Sequence, residues 1–284
     1  MTCVFSAIRR MPRGGFPLLR MISRSLPALQ AHPIKLRLVP GAAVEADLRE
    51  SVFFPLWKHG CYPHQLGEDV AALALLRRGD VVWDIGANIG YTALVFAHAV
   101  GEKGHVLAVE PSRRSFDYLQ RTVARWPQIR TLNAAVSDRD GWVPFEDRKM
   151  LDLSLVTGEA GPAGYQVSAV TLDSLLELAC APPAFVKIDT EGHEHQVISG
   201  GRQLISRHTP LVQFEALNTP TLRGTMAQLS EFSAGGYEFF RATQAGRLLP
   251  IDADPTTDAT NNFYAVPAGG RTRIEALVAS ASSP

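Results

Sequence analysis

A short apolar segment followed at once by a glycine-containing loop constrains the fold of this chain more than any other feature. Val81–Ile85 reads V-V-W-D-I, an apolar run with an acid near its end, which is typical of a strand buried on both faces. Gly86 and Gly90 come directly after it, and their backbone freedom allows a tight turn from a strand into a helix. The segment therefore predicts a strand, a loop that a ligand can approach closely, and a helix.

Strands and helices alternate along most of the chain. Apolar runs predict further strands at 104–109, 129–136, 184–188 and 211–215, and helical spacing predicts helices at 68–78, 91–100, 112–125, 172–178, 191–207 and 221–234. This alternation implies parallel pairing through right-handed crossovers. We therefore predict an α/β fold with a doubly wound, Rossmann-like, mostly parallel sheet. A small N-terminal hairpin at 34–48 and an antiparallel C-terminal strand pair at 238–241 and 262–266 complete the prediction.

Length and charge favour one large domain without a strongly charged partner. Over 284 residues, 28 basic side chains balance 28 acidic ones, so neither nucleic acid nor an anionic membrane is indicated. The three cysteines are far apart, which predicts a reducing, cytoplasmic location without a disulfide framework or a zinc site.

Seven basic residues and no acid precede Glu45, so we expect a basic, unstructured leader over 1–33, with a transit peptide as the alternative. The domain then covers 34–268, and 269–284 is a tail.

Acidic residues close five of the predicted strands. Ligands of open parallel sheets bind outside the carboxyl ends of the strands, so these side chains are expected to meet at one edge. Any single acid could equally be a helix N-cap or a solubilising loop charge, but five together favour a binding site. The five residues are Asp84, Glu110, Asp138, Asp189 and Glu215.

The loop over 86–90 differs from one that binds a dinucleotide. A dinucleotide loop reads G-x-G-x-x-G and rests a pyrophosphate on a helix N-terminus, whereas Asn88 here stands at the second glycine position. Asp84 before the loop would repel a pyrophosphate but suits the ammonium of an amino acid. Glu110, at the end of the next strand, is placed to bind both ribose hydroxyls of an adenosine. The pattern favours adenosine joined to an amino acid and leaves a nicotinamide-dependent oxidoreductase as the alternative.

Four segments closely resemble the FkbM family of methyltransferases. They are D-I-G-A-N-I-G-Y at 84–91, V-E-P at 109–111, A-V-S-D at 135–138 and V-K-I-D-T-E-G at 186–192, and the resemblance extends from about 34 to 266. It implies S-adenosylmethionine as methyl donor and usually O-methylation of a hydroxyl on a sugar or a secondary metabolite. The histidines of His193-Glu194-His195 depart from the small or aliphatic residues that are more usual after this glycine in the family.

The resemblance also implies donor-binding roles. It places Asp84, Gly86 and Asn88 at the methionine end, Glu110 at the ribose, and Ser137 and Asp138 at the edge of the adenine, with Gly90 closing the loop. Glu68 could be either a first-turn charge that stabilises its own helix or a further donor contact. The aromatic residues at 53, 54, 57 and 62 favour a segment packed on the core over a wall of the acceptor pocket.

A hydroxyl acceptor requires a proton acceptor, because it is a poor nucleophile. Asp189 is the first candidate, since it ends the fourth strand beside the first, and Glu191, Glu215 and then His193 follow. A rival use of this segment is Mg²⁺ binding. A helix that begins at Glu191 would bring only Glu191 and His195 to one face, so we predict no metal site. A catalytically silent nucleoside-binding module is the remaining alternative.

Overall fold

An eight-stranded sheet forms the centre of the structure, a computed structural model that describes residues 8–11, 15–26, 29, 31–147, 155–156, 164–251 and 261–278. With strands numbered in chain order, β1 and β2 form a separate hairpin, as predicted, and β6–β9 form a second sheet. The strands are β1 (His32–Lys35), β2 (Ala43–Ala46), β3 (Val81–Ile85), β4 (His105–Val109), β5 (Ile129–Leu132), β6 (Ala135–Val136), β7 (Gly141–Glu146), β8 (Leu155–Val156), β9 (Tyr165–Val170), β10 (Phe185–Ile188), β11 (Leu211–Glu215), β12 (Tyr237–Ala242), β13 (Leu248–Pro250) and β14 (Asn262–Pro267).

The order of the strands in the large sheet confirms the predicted fold class. The order is β13-β12-β14-β11-β10-β3-β4-β5, in which β11 to β5 are parallel and β14 runs antiparallel to both β11 and β12. The chain builds outward from β3 to β5 and then returns to the other side of β3 with β10 and β11. The order therefore reverses at β3, where sheets of this kind bind their ligands.

Helices cover both faces of the large sheet. In the described ranges they are α1 (Gly15–Ser25), α2 (Phe53–His59), α3 (Leu66–Leu75), α4 (Tyr91–Val100), α5 (Arg113–Val123), α6 (Leu172–Leu178), α7 (Glu194–Ser199), α8 (Arg202–His208), α9 (Thr219–Phe232) and α10 (Arg271–Ile274). Alternate side chains of β3 enter different cores: Val82 packs in the cluster that contains α4, and Trp83 in the cluster that contains α9. This two-sided burial explains why the strand is almost wholly apolar.

The third predicted strand, 129–136, is divided between two sheets. Ile129–Leu132 pairs with β4 in the large sheet, whereas Ala135–Val136 pairs with β9 in the small one. Asn133 lies at the break, and its side-chain amide donates to the Glu110 carbonyl at 2.7 Å. A run of apolar residues cannot show that its two ends pair with different neighbours. The poorly periodic region after it contains β7 to β9, although 148–154 and 157–163 lie outside the described residues.

The predicted helix over 191–207 is wrong in its beginning and its continuity. Helix α7 begins only at Glu194, and Gly200 and Gly201 separate it from α8. A Cβ atom at Gly200 would lie 2.1 Å from the Ser137 carbonyl oxygen, so this close approach requires glycine. Glu191 precedes the helix with φ at 55°, so Glu191 and His195 do not share one helical face.

The basic leader predicted over 1–33 is partly described: residues 8–10 and 15–25 are helical, and β1 begins at His32. Leu19 lies on the inner side of α1 and is fully buried against the main core. Phe16 contacts Phe54, with ring centroids 5.6 Å apart. Apolar residues on one side of α1 hold it to the domain, a pattern that the intervening basic residues obscure in the sequence. The domain boundaries at 33 and 268 stay predictions.

The predicted tail, 269–284, is described as far as residue 278. Ile274 of α10 is buried, and Arg273 forms an ion pair with Asp80 at 2.7 Å, so the described part packs on the domain. Within the described ranges, every helix is too short or too polar to span a lipid bilayer.

Candidate active site

A cavity of about 370 Å³ opens at the carboxyl ends of β3, β4, β10 and β11. Its volume falls within the range of small-molecule sites, about 300–1,000 Å³. It lies where the strand order reverses, as the sequence predicts. Of the predicted site residues, those that line it are Glu68, Gly86, Asn88, Glu110, Asp189, Glu191, His193 and Glu215. Asp84, Gly90, Ser137 and Asp138 do not line it.

The two glycines of the loop serve different purposes. Gly86 has φ at 80°, and its amide donates to the Val109 carbonyl at 2.9 Å. A Cβ atom on Gly86 would lie 1.8 Å from the Asp189 carbonyl oxygen, so only glycine fits between β4 and the end of β10. A Cβ atom on Gly90 would instead lie 2.7 Å from the Leu119 side chain. Gly90 therefore lets α4 pack against α5 and does not face the cavity.

Glu110 ties the loop to the start of α5. Its Oε2 accepts from the Asn88 amide and its Oε1 from the Ser112 amide, both at 2.8 Å. Burial raises the pKa of Glu110 to about 7, although the hydrogen bonds from the two backbone amides act to lower it. Each carboxylate oxygen retains a second acceptor position. Glu110 can therefore hold the loop and still accept hydroxyls from a ligand in the cavity.

Asp84 lies beneath the cavity wall. The residue is fully buried, and its Oδ2 accepts from the Thr92 hydroxyl at 2.8 Å. Its Oδ1 has no hydrogen-bond partner, and Lys187 Nζ is 4.0 Å away from it. Burial raises the pKa of Asp84. Asp84 is therefore separated from the cavity by its neighbours, and a role for it at the methionine end stays a prediction.

Lys187 is a buried cation that the sequence analysis assigned no role. The residue is 3% exposed, and its ammonium lies 2.7 Å from Asp189 Oδ2. Burial alone would lower the pKa of Lys187, but the charges of Asp189 and Asp84 outweigh it and raise the pKa. The available signal was a lysine inside the short apolar strand Phe185–Ile188, because a charge in such a strand requires a partner.

Three carboxylates lie close together next to Lys187, and one of them is its ion-pair partner Asp189. Oxygens of Asp189, Glu191 and Glu215 lie within 4.8 Å of one another. Burial, followed by the charges of Asp189 and Glu191, raises the pKa of Glu215 to about 8. Such a group can accept a proton, and its hard oxygens could also hold a divalent cation. His195 is exposed and lies outside the group, which excludes the metal pair considered from the sequence.

The first turn of α3 and the segment before it supply a further wall. Glu68 lines the cavity, and burial raises its pKa to about 8. Asp69, which the sequence analysis did not single out, accepts from the Tyr91 hydroxyl at 2.7 Å. Of the aromatic residues predicted here, Phe53 is in the core and Tyr62 lines the cavity, so the segment serves both purposes.

Ser137 and Asp138 lie behind the cavity wall. The Ser137 hydroxyl is 2.9 Å from Nε2 of His193, which does line the cavity. Burial lowers the pKa of His193. Ala135 and Phe145 form the neighbouring wall. A role for Ser137 and Asp138 at the edge of an adenine stays a prediction, since His193 stands between them and the cavity.

Comparison with known proteins identifies a family model that covers over half of the chain. The model of the methyltransferase FkbM domain matches residues 84–239. The hexuronic acid methyltransferase AglP of Haloferax volcanii is 32% identical over 138 residues, which cover 47% of this chain and 55% of that protein. The protein-L-isoaspartate O-methyltransferase of Ignicoccus hospitalis is 35% identical over 98 residues, 34% of this chain and 44% of that protein. The chain thus spans about half the length of these relatives.

Among solved structures, the methyltransferase FkbM of Methylobacillus flagellatus is similar to this chain with a TM-score of 0.47 and 19% sequence identity. The similarity covers 87% of this chain and 60% of that one.

Proposed function

The chain belongs to the FkbM methyltransferase family, and on that premise we propose that it methylates a hydroxyl group of a sugar or a secondary metabolite, with S-adenosylmethionine as donor. The observation that carries the choice of a hydroxyl is the convergence of Asp189, Glu191 and Glu215 within 4.8 Å at one end of the cavity. An alcohol needs a nearby proton acceptor, and an acidic wall favours an uncharged acceptor.

The chemistry of the cavity fits a cationic donor better than a dinucleotide. Among the described lining residues, Lys187 is the only lysine or arginine, and it is already paired with Asp189. The lining carboxylates outnumber it, and they are Glu68, Glu110, Asp189, Glu191 and Glu215. When bound, S-adenosylmethionine supplies a methyl group that its sulfonium has already activated. We propose that Glu110 binds the ribose and that the backbone of the 86–89 loop supports the amino-acid portion.

The Glu110→Ala variant is expected to bind S-adenosylhomocysteine at least tenfold more weakly than the wild type. Charge-assisted hydrogen bonds contribute about 1.5–3 kcal/mol, and the variant also releases the Asn88 amide of the loop. Isothermal titration calorimetry measures this dissociation constant, with NAD as a control ligand that should not bind either protein. An unchanged dissociation constant in the variant, or tight binding of NAD by the wild type, would contradict the donor assignment.

We assign the proton transfer to Glu215 in preference to Asp189. Asp189 already accepts from the Lys187 ammonium at 2.7 Å, so this oxygen is engaged by a cation and is less available to an acceptor proton. Glu215 has a pKa of about 8, near the pH at which a general base is most effective. In the proposed reaction, Glu215 takes the acceptor proton while neighbouring side chains hold the acceptor oxygen in line with the donor carbon. Glu191 contributes a negative charge that keeps the pKa of Glu215 high.

The same carboxylates argue against an acceptor that is itself a carboxylate. Two like charges 4 Å apart repel by about 4 kcal/mol at an effective dielectric constant of about 20, so an anion would bind poorly beside the Glu191 carboxylate. The name of the Haloferax relative states that it acts on hexuronic acid, a sugar with a carboxyl group. We propose that this chain acts on a sugar-like acceptor that lacks a charge at the reacting position.

A matched pair of sugars tests the acceptor. With labelled S-adenosylmethionine, we expect methyl transfer to a methyl glucoside and little to the corresponding methyl glucuronoside, which carries a carboxylate in place of a hydroxymethyl group. The product should be an ether and should survive mild alkali. Label found mainly on the glucuronoside and released by alkali as methanol would identify a methyl ester and contradict the proposal.

A further inference from the structure

The turn between β10 and α7 has a backbone conformation that most residues avoid. Glu191 has φ at 55° and Gly192 has φ at 100°, and residues other than glycine rarely adopt positive φ. The turn directs the Glu191 carboxylate toward the cavity, where it lies within 4.8 Å of the Asp189 and Glu215 carboxylates. A conformation of this kind persists only where surrounding contacts determine it.

Glu194 supplies those contacts from beneath the turn. The residue is fully buried and does not line the cavity. Its Oε1 accepts from the Thr190 amide at 2.9 Å, from the Thr190 hydroxyl at 3.1 Å and from the Gly192 amide at 3.1 Å. The two amides flank Glu191, so one carboxylate oxygen holds the backbone on both sides of the strained residue. Burial raises the pKa of Glu194, whereas its hydrogen bonds from the Thr190 and Gly192 amides act to lower it.

We propose that Glu194 is a positioning residue that holds the 190–192 turn in the shape that directs Glu191 toward Asp189 and Glu215. The inference rests on the proposed function, because that function assigns these three carboxylates to the acceptor end. Glu194 itself touches no acceptor, since the turn separates it from the cavity. The donor loop over 86–90 is not among its hydrogen-bond partners.

Two variants and a control on the same helix test the role. Glu194→Ala removes the acceptor oxygen, whereas Glu194→Gln retains one at the same position. Misplacement of a reacting group by about 1 Å lowers a rate about 100-fold, so we expect a loss of that order in kcat for Glu194→Ala and a loss of no more than about tenfold for Glu194→Gln. The dissociation constant for S-adenosylhomocysteine should stay within about threefold of the wild-type value in both. His195→Ala, at the exposed neighbouring position, should behave as the wild type.

Amide hydrogen exchange provides a readout that needs no acceptor. The Thr190 and Gly192 amides should exchange faster in Glu194→Ala and remain protected in Glu194→Gln. Full activity in Glu194→Ala, or equal losses of donor affinity, melting temperature and kcat in both variants, would overturn the inference. If the wild type methylates no neutral sugar, the proposed acceptor is wrong, whereas the exchange of these two amides still decides whether Glu194 shapes the turn.

Discussion

Replacing Lys187 by Met is expected to lower the free energy of unfolding by about 3–5 kcal/mol, because removal of one partner leaves a buried charge uncompensated. Asp84 is fully buried with an Oδ1 that has no hydrogen-bond partner, and the Lys187 ammonium 4.0 Å away is the cation that offsets it. For a chain of this size the loss corresponds to a fall of about 10 °C in melting temperature. Chemical denaturation measures it, with the exposed Lys103→Met variant as control.

The pH dependence of that deficit identifies its cause. Without Lys187, the pKa of Asp84 should rise further above its unfolded value, because burial already raises it in the wild type. A raised carboxyl pKa costs stability when the pH lies above it, and protonation relieves the cost as the pH falls. The deficit of Lys187→Met relative to the wild type should therefore be smaller at low pH than at neutral pH. A deficit that does not change with pH would attribute the loss to packing.

Replacing Glu215 by Gln is expected to lower kcat by about 10²–10⁴-fold, the usual effect of removing a positioned general base. The substitution keeps the shape of the side chain, so the affinity for S-adenosylhomocysteine should change little. Steady-state kinetics with the best neutral sugar measures kcat. Glu231→Gln, at an exposed position of α9 that pairs with Arg202, is the matched control and should retain full activity.

The pH profile separates a base from a residue that only binds. A general base works when it is deprotonated, so kcat/KM of the wild type should increase as the pH rises through about 8, the pKa of Glu215. Glu215→Gln should lose this increase. Asp189→Asn should lower kcat less than Glu215→Gln, because Asp189 is already paired with Lys187. A larger loss in Asp189→Asn would transfer the role of base to Asp189.

A chelation experiment addresses the divalent cation that the same carboxylates could hold. We expect turnover to persist in EDTA, because Lys187 already supplies one positive charge to Asp189. Turnover that EDTA abolishes and Mg²⁺ restores would assign Asp189, Glu191 and Glu215 to a metal.

The features that can be predicted from the sequence are those that depend on neighbouring residues along the chain. The apolar run of β3 and the glycines after it predict a buried strand and a tight turn. A strand buried on both faces must be apolar, and a positive φ favours glycine. Parallel strands place their carboxyl ends at one edge, so Glu110, Asp189 and Glu215 could be assigned to a single site from their positions in the chain alone.

The tertiary structure decided which charges face the cavity and which lie beneath it. Asp84 and Lys187 face each other across the register of β3 and β10, a pairing between residues about a hundred positions apart. The helical spacing after Asp189 predicted a continuous helix, because no local signal shows that Glu194 holds a turn before it. Likewise, the ion pair that engages Asp189 with Lys187 exists only in the folded sheet. Local preferences set the elements and their order, but pKa values and side-chain directions depend on burial and on neighbours that only folding brings together.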